Sequence, residues 1–146
     1  MKENILKIKK LDERAKVPTY GTEASAGADL YALLDSDLTI NPGESKMIST
    51  GLAISIPDGY VGLIYARSSL GCKKGLAPAN KVGVIDSDYR GEIKVCLYNH
   101  SSESQIITPN ERIAQIVFTP YIKVNFCETD ELSDTNRGTG GFGSTN

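Results

Sequence analysis

Apolar positions along this chain fall into short runs, each closed by a turn signal. Met47–Pro57 reads MISTGLAISIP, Tyr60–Tyr65 YVGLIY, Lys81–Ile85 KVGVI and Glu92–Tyr98 EIKVCLY. Ile113–Phe118 reads IAQIVF and Tyr121–Phe126 YIKVNF. Each run has about the length of an ordinary strand and is bounded by Gly, Pro, Asn, Asp or Ser. Asn41-Pro42-Gly43, Asp58-Gly59, Arg90-Gly91 and Pro109-Asn110 mark the turns between them. No long helical period is visible, and Gly71–Asn80 has room for one short helical turn. The pattern predicts an antiparallel all-β sandwich or barrel. A βαβ arrangement fails for want of crossover helices.

The end of the chain breaks this pattern. Residues 133–146 read SDTNRGTGGFGSTN, with four glycines and no aliphatic residue after Leu132. Such a segment cannot bury enough apolar surface to order itself. A β domain over residues 1–132 and a flexible flap over 133–146 are therefore expected. One arginine, Arg137, and one aromatic, Phe142, stand among the glycines, as in a lid that closes on a ligand.

Composition narrows the function classes. The chain has 146 residues, enough for one domain. Lys and Arg number 16 against 18 Asp and Glu, a net charge of −2 with pI near 5.4. That balance gives no global pull toward nucleic acid or an anionic membrane, so any phosphate binding must be local. The apolar runs fall short of the roughly 20 residues of a membrane helix. Charges at Lys2, Glu3, Lys7, Lys9 and Lys10 leave no signal-peptide core, so a cytoplasmic location is expected. Cys72, Cys96 and Cys127 are odd in number and widely spaced, as free thiols are. His100 is the only histidine, which excludes a His-rich metal site.

Five strings carry candidate chemistry. Ala26–Ala32, AGADLYA, sets Asp29 beside flexible backbone. Tyr65–Gly71, YARSSLG, ends a β run with Arg67 and two hydroxyls, Ser68 and Ser69. That set can grip an anion, because arginine offers a planar fork of donors. Gly83–Gly91, GVIDSDYRG, follows apolar residues with Asp86, Asp88 and Tyr89. A carboxylate at the mouth of a sheet can act as a general base. Glu111–Phe118, ERIAQIVF, puts Arg112 and Gln115 in an otherwise apolar strand, where polar groups need partners. The glycine-rich tail is the fifth. Each string alone also fits an ordinary loop, turn or edge strand. Together they suit a site for a nucleoside polyphosphate with a divalent cation.

In this order the strings resemble the five motifs of the trimeric deoxyuridine triphosphatases (dUTPases), from Ala26 to Thr145. Two positions depart: Ser69 and Asn110 stand where glycine is frequent. The resemblance implies a jelly-roll-like β barrel forming a homotrimer, with three sites at subunit interfaces. One subunit supplies the first, second and fourth motifs to a site, another the third, and the remaining one the flap. The implied reaction is dUTP plus water giving dUMP and pyrophosphate. It supplies dUMP for thymidylate synthesis and keeps uracil out of DNA.

The resemblance also implies roles. Asp86 is the general base that activates water. Mg²⁺ clamps the phosphates, with Asp29 acting through its waters. Arg67, Ser68 and Gln115 contact the phosphate chain, and Ser69 binds substrate beside them. The hairpin from Asn80 through Gly83, Val84 and Ile85 selects uracil with backbone groups, and Tyr89 packs on the deoxyribose. Phe142 stacks over the base and Arg137 reaches the γ-phosphate, assisted by Gly141, Gly143, Ser144 and Thr145. Neither nucleic acid nor membrane is an expected partner. Three rivals remain at this level: a dCTP deaminase, a binding trimer without turnover, and a capsid-like jelly roll. The deaminase needs a glutamate near the pyrimidine amine, and the hairpin has none before Glu92.

Overall fold

The computed structural model of the protein describes residues 5–143. Its strands run β1 (Lys7–Lys10), β2 (Thr19–Tyr20), β3 (Ala28–Tyr31), β4 (Leu38–Ile40), β5 (Ser45–Ser49) and β6 (Leu52–Ser55). They continue with β7 (Tyr60–Tyr65), β8 (Leu76–Pro78), β9 (Gly83–Ile85), β10 (Lys94–Asn99), β11 (Gln105–Ile107) and β12 (Arg112–Pro120). One π-helical turn, Ser69–Lys74, follows β7 and ends at Gly75, whose φ is +64°. No helix among the described residues is long and apolar enough to cross a membrane.

Every strand pairing is antiparallel. The largest sheet has the order β2-β3-β12-β7-β9, a second has β5-β10-β8, and β1-β6 and β4-β11 form pairs. Period-two alternation explains which side chains enter the core. On β10, Val95 and Leu97 are buried while Lys94, between the turn and the core, stays exposed. Leu30, Ile40, Ile48, Leu97, Ile107 and Ile116 are fully enclosed between the sheets. Each such side chain contributes about 1.5–3 kcal/mol by leaving water. The expected all-β, jelly-roll-like class is present. It is built as packed sheets rather than one closed cylinder, because β2 and β9 end the large sheet with one free edge each.

Some expected elements differ. The run Met47–Pro57 reads as one strand but is cut into β5 and β6 at Gly51. That residue has φ +71°, and a Cβ there would meet Ala15 and Leu33 at 2.8 Å. The helical turn lies at Ser69–Lys74, starting two residues ahead of the expected window Gly71–Asn80 and overlapping its first four residues. Tyr121–Phe126 is not a strand within this chain. After Pro120 the backbone runs on without regular structure, and Ile122 and Phe126 are 88% and 96% exposed. The extended exposed stretch thus begins at Tyr121, ahead of Ser133.

Candidate active site

Antiparallel register builds the first half of the site. Gln115 on β12 lies opposite Asp29 on β3 and opposite Tyr65 on β7. These residues form one row across the central strands. Arg112 and Gln115 are three apart, so simple alternation would send them to opposite faces. A register shift between Arg112 and Ala114 resets the alternation. Ile113 and Ala114 are both buried, and Arg112, Gln115 and Val117 all line one hollow of about 410 Å³. Asp29, Tyr65, Arg67, Ser68 and Gly27 complete most of its wall.

Asp29 organises the charges there. It is 8% exposed, and its Oδ1 accepts from Arg67 Nε at 2.6 Å. Its Oδ2 accepts from Arg112 Nη1 at 3.3 Å. A carboxylate so enclosed needs such partners, because an unpaired buried charge costs several kcal/mol, on the order of 3–5. Arg67 Nη1 also donates to Ser69 Oγ at 3.0 Å. Gln115 Nε2 donates to the Ala66 carbonyl at 2.9 Å. The hollow therefore presents two fixed guanidinium groups around one carboxylate, a local positive excess on a chain of net negative charge. Gly27 faces the Gln115 carboxamide so closely that a Cβ there would overlap it.

The second half sits on β9 and the turn that follows. A hollow of about 460 Å³ is lined by Met47, Val84, Ile85, Asp86, Tyr89, Glu92 and Lys94. A smaller hollow of about 140 Å³ adjoins it, sharing Met47, Val84, Ile85 and Lys94 and adding Asn80 and Gly83. Because β9 ends its sheet, one edge of its backbone keeps unpaired donors and acceptors. The Asp86 carbonyl accepts from the Tyr89 N–H at 3.2 Å, closing a turn that places carboxylate and ring on the same hollow. Glu92 also lines it, but its Oε1 accepts from the Gly51 N–H at 2.9 Å and its Oε2 faces Lys94 Nζ at 3.5 Å.

The expected residues thus divide into two groups and a remainder. Asp29, Arg67, Ser68 and Gln115 converge on the first hollow, with Ser69 beside Arg67. Asn80, Gly83, Val84, Ile85, Asp86 and Tyr89 surround the adjoining 460 Å³ and 140 Å³ hollows. The 410 Å³ and 460 Å³ hollows share no lining residue. Arg137, Gly141, Phe142 and Gly143 line neither. Arg137 Nε donates to the Gly140 carbonyl at 2.8 Å, and the Phe142 ring is fully exposed. Ser144 and Thr145 lie outside the described residues. Sequence reading singled out Arg112 without assigning it a role, and it missed Tyr65, Met47 and Lys94. The strand register that brings them in has no local signal.

Known proteins resemble this chain in sequence and in fold. The dUTPase family profile matches residues 13–146. The deoxyuridine 5'-triphosphate nucleotidohydrolase of Nautilia profundicola is 53% identical, over 96% of this chain and 97% of its own length. The protein of the same name from Neisseria meningitidis serogroup A is 48% identical, over 96% of this chain and 95% of its own. Among solved structures, the dUTPase of Staphylococcus bacteriophage 80alpha with dUPNHPP superposes with a TM-score of 0.89 at 29% identity, covering 98% of this chain and 99% of that one. The dUTPase of S. aureus phage phi11, in a structure described as showing coordination of a structural Mg(II) ion, superposes with a TM-score of 0.78 at 25% identity, covering 88% and 98%. A profile that spans both hollows and the glycine-rich tail, with relatives matched over nearly their whole length, settles the assignment: this chain belongs to the dUTPase family.

Proposed function

We propose that the chain hydrolyses dUTP to dUMP and pyrophosphate by water attack on the α-phosphorus, with Asp86 as general base. The observation that carries the reading is the division of labour between the hollows. One offers a carboxylate beside a free strand edge, and the other offers two arginines held by a buried aspartate.

The free edge of β9 can pair with a uracil ring as an added strand would, through backbone groups around Gly83, Val84 and Ile85. Cytosine presents the inverse pattern of donors and acceptors, and a mismatch of that kind can discriminate by about 10⁴-fold. Asn80 flanks this edge, and Tyr89 presents its ring to the deoxyribose. Asp86 receives a proton from the attacking water. Charge then builds on the phosphate oxygens, and fixed donors aimed there contribute most to the rate. Arg67, Ser68, Ser69 and Gln115 supply those donors, and Asp29 holds Arg67 in place. Glu92 is engaged by the Gly51 N–H and Lys94, which disfavours a deaminase role.

The donor set fits Mg²⁺ carried mainly by phosphates and water. Among the described residues no three His, Cys, Asp or Glu side chains converge into a protein cage. Each Asp29 oxygen holds one guanidinium and keeps lone-pair capacity for a water of the ion's hydration shell. When bound, the ion neutralises phosphate charge and fixes the conformation of the triphosphate.

A homotrimer supports the same reading. Neither hollow alone holds the whole constellation, and in the stretch after Pro120 the side chains of Ile122, Val124, Phe126 and Leu132 are exposed. A second and third copy would cover that stretch, join the two hollows at a seam, and bring Arg137, Gly141, Phe142, Gly143, Ser144 and Thr145 over the nucleotide. The test is incubation with dUTP, dCTP, dTTP and UTP plus Mg²⁺, scored by pyrophosphate release. Release is expected from dUTP alone. Asp86→Asn keeps the shape and removes the base, so turnover should fall by roughly 10²–10⁴ while dUTP still binds. Turnover within a few-fold of the parent chain would place the base elsewhere.

A further inference from the structure

Tyr89 is held by more than its own turn. Its hydroxyl donates to the Glu92 carbonyl at 2.9 Å, so the ring folds back across Gly91. A Cβ at Gly91 would lie 2.5 Å from the Tyr89 hydroxyl oxygen, 2.6 Å from Cζ and 3.0 Å from Cε2. Three atoms at the outer end of a rigid ring cannot all clear a methyl group by a small rotation. The ring would have to move by about 1 Å to reach ordinary van der Waals contact. Gly91 does not have a positive φ, so its backbone makes no demand for glycine. What requires glycine here is the close approach of the ring. The acceptor is anchored in turn, because the Glu92 carboxylate is tied to the Gly51 N–H. Tyr89 also lines the hollow that Asp86 lines.

We infer that Gly91 is a specificity-determining positioning residue: its missing side chain seats the Tyr89 ring at the height that admits a deoxyribose and refuses a ribose. This rests on the reading of Tyr89 as the surface presented to the sugar. A methyl group at position 91 pushes the ring toward the hollow and off the Glu92 carbonyl. The substrate that fits the seated ring loses most, while UTP, already refused, loses little. Selectivity therefore falls through KM for dUTP rather than through kcat.

A double-mutant cycle tests it, with kcat and KM for dUTP and UTP measured on the full chain and thermal unfolding as the check on folding. Gly91→Ala should lower the dUTP-to-UTP ratio of kcat/KM about tenfold, mostly by raising KM for dUTP. In the Tyr89→Ala background the same substitution should change neither constant by more than about twofold, because the ring it acts on is gone. An equal loss in both backgrounds would show that Gly91 acts on the backbone and would overturn the inference. An unchanged ratio for Gly91→Ala alone would overturn it too. Tyr89→Ala by itself reads the underlying assignment. If that variant keeps the parent selectivity, the sugar role of Tyr89 fails, and with it the specificity role given to Gly91. A KM effect of Gly91→Ala that needs the ring would then report ring seating alone.

Discussion

Asn110 has φ +64°, in the left-handed region that side chains other than glycine seldom occupy. Its N–H donates to the Ala32 carbonyl at 2.9 Å, and the Glu111 N–H donates to the Thr108 carbonyl at 3.1 Å. The turn so formed delivers the chain into β12 and its arginine. Glu111 ties the same turn to the π-helical segment, accepting from Lys74 Nζ at 2.7 Å. Asparagine tolerates this conformation better than other L residues because its short amide bonds locally. Glycine and asparagine would answer the same backbone demand here. Asn110→Gly should leave the melting temperature within about 2 °C, whereas Asn110→Val should cost about 1–2 kcal/mol and lower it by several degrees. Calorimetry of the two variants beside the parent chain checks this. An unaffected valine variant would mean that the turn can flip to negative φ without loss.

Among the elements, the stretch from Tyr121 onward has the least support from its own chain. Ile122, Val124 and Phe126 alternate with polar residues as a half-buried strand would, yet among the described residues no strand pairs with them. Their partner is expected to be another copy. Stopping the chain after Pro120 should therefore abolish the trimer. Stopping it after Asn136 should leave a particle near three times 15.7 kDa but lower kcat on the order of 10²-fold through lost positioning. Light scattering and turnover on the two truncations decide it. A trimer that survives the shorter cut would remove the assembly role from this stretch. The same residues show what the sequence could convey. Alternation announced a strand and could not say which molecule completes it. Tyr60–Tyr65 was legible to the residue because its pattern and both bounding turns are local. The Met47–Pro57 run hid a break that only the packing of Gly51 against Ala15 and Leu33 imposes. Asp86 and Tyr89 were legible as a turn after an apolar run. The Asp29–Arg67 pair spans 38 residues, and the common face of Arg112 and Gln115 depends on a bulge, so neither had a local trace.

At the scale of the molecule, the arginine hollow and the carboxylate hairpin have no lining residue in common. On the proposed site shared between copies, damage to one should leave the other sound, and two inactive proteins should restore each other. Asp86→Asn chains keep an intact arginine pair, and Arg67→Gln chains keep an intact hairpin. Co-expressed in equal amounts and assembled at random around a three-fold axis, they would join both sound halves at about a quarter of the seams. The mixture should then recover about a quarter of the parent turnover, although each variant alone is nearly dead. The loss would also be recessive in a cell that makes both chains. A mixture as inactive as its components would mean that a complete site forms within one chain.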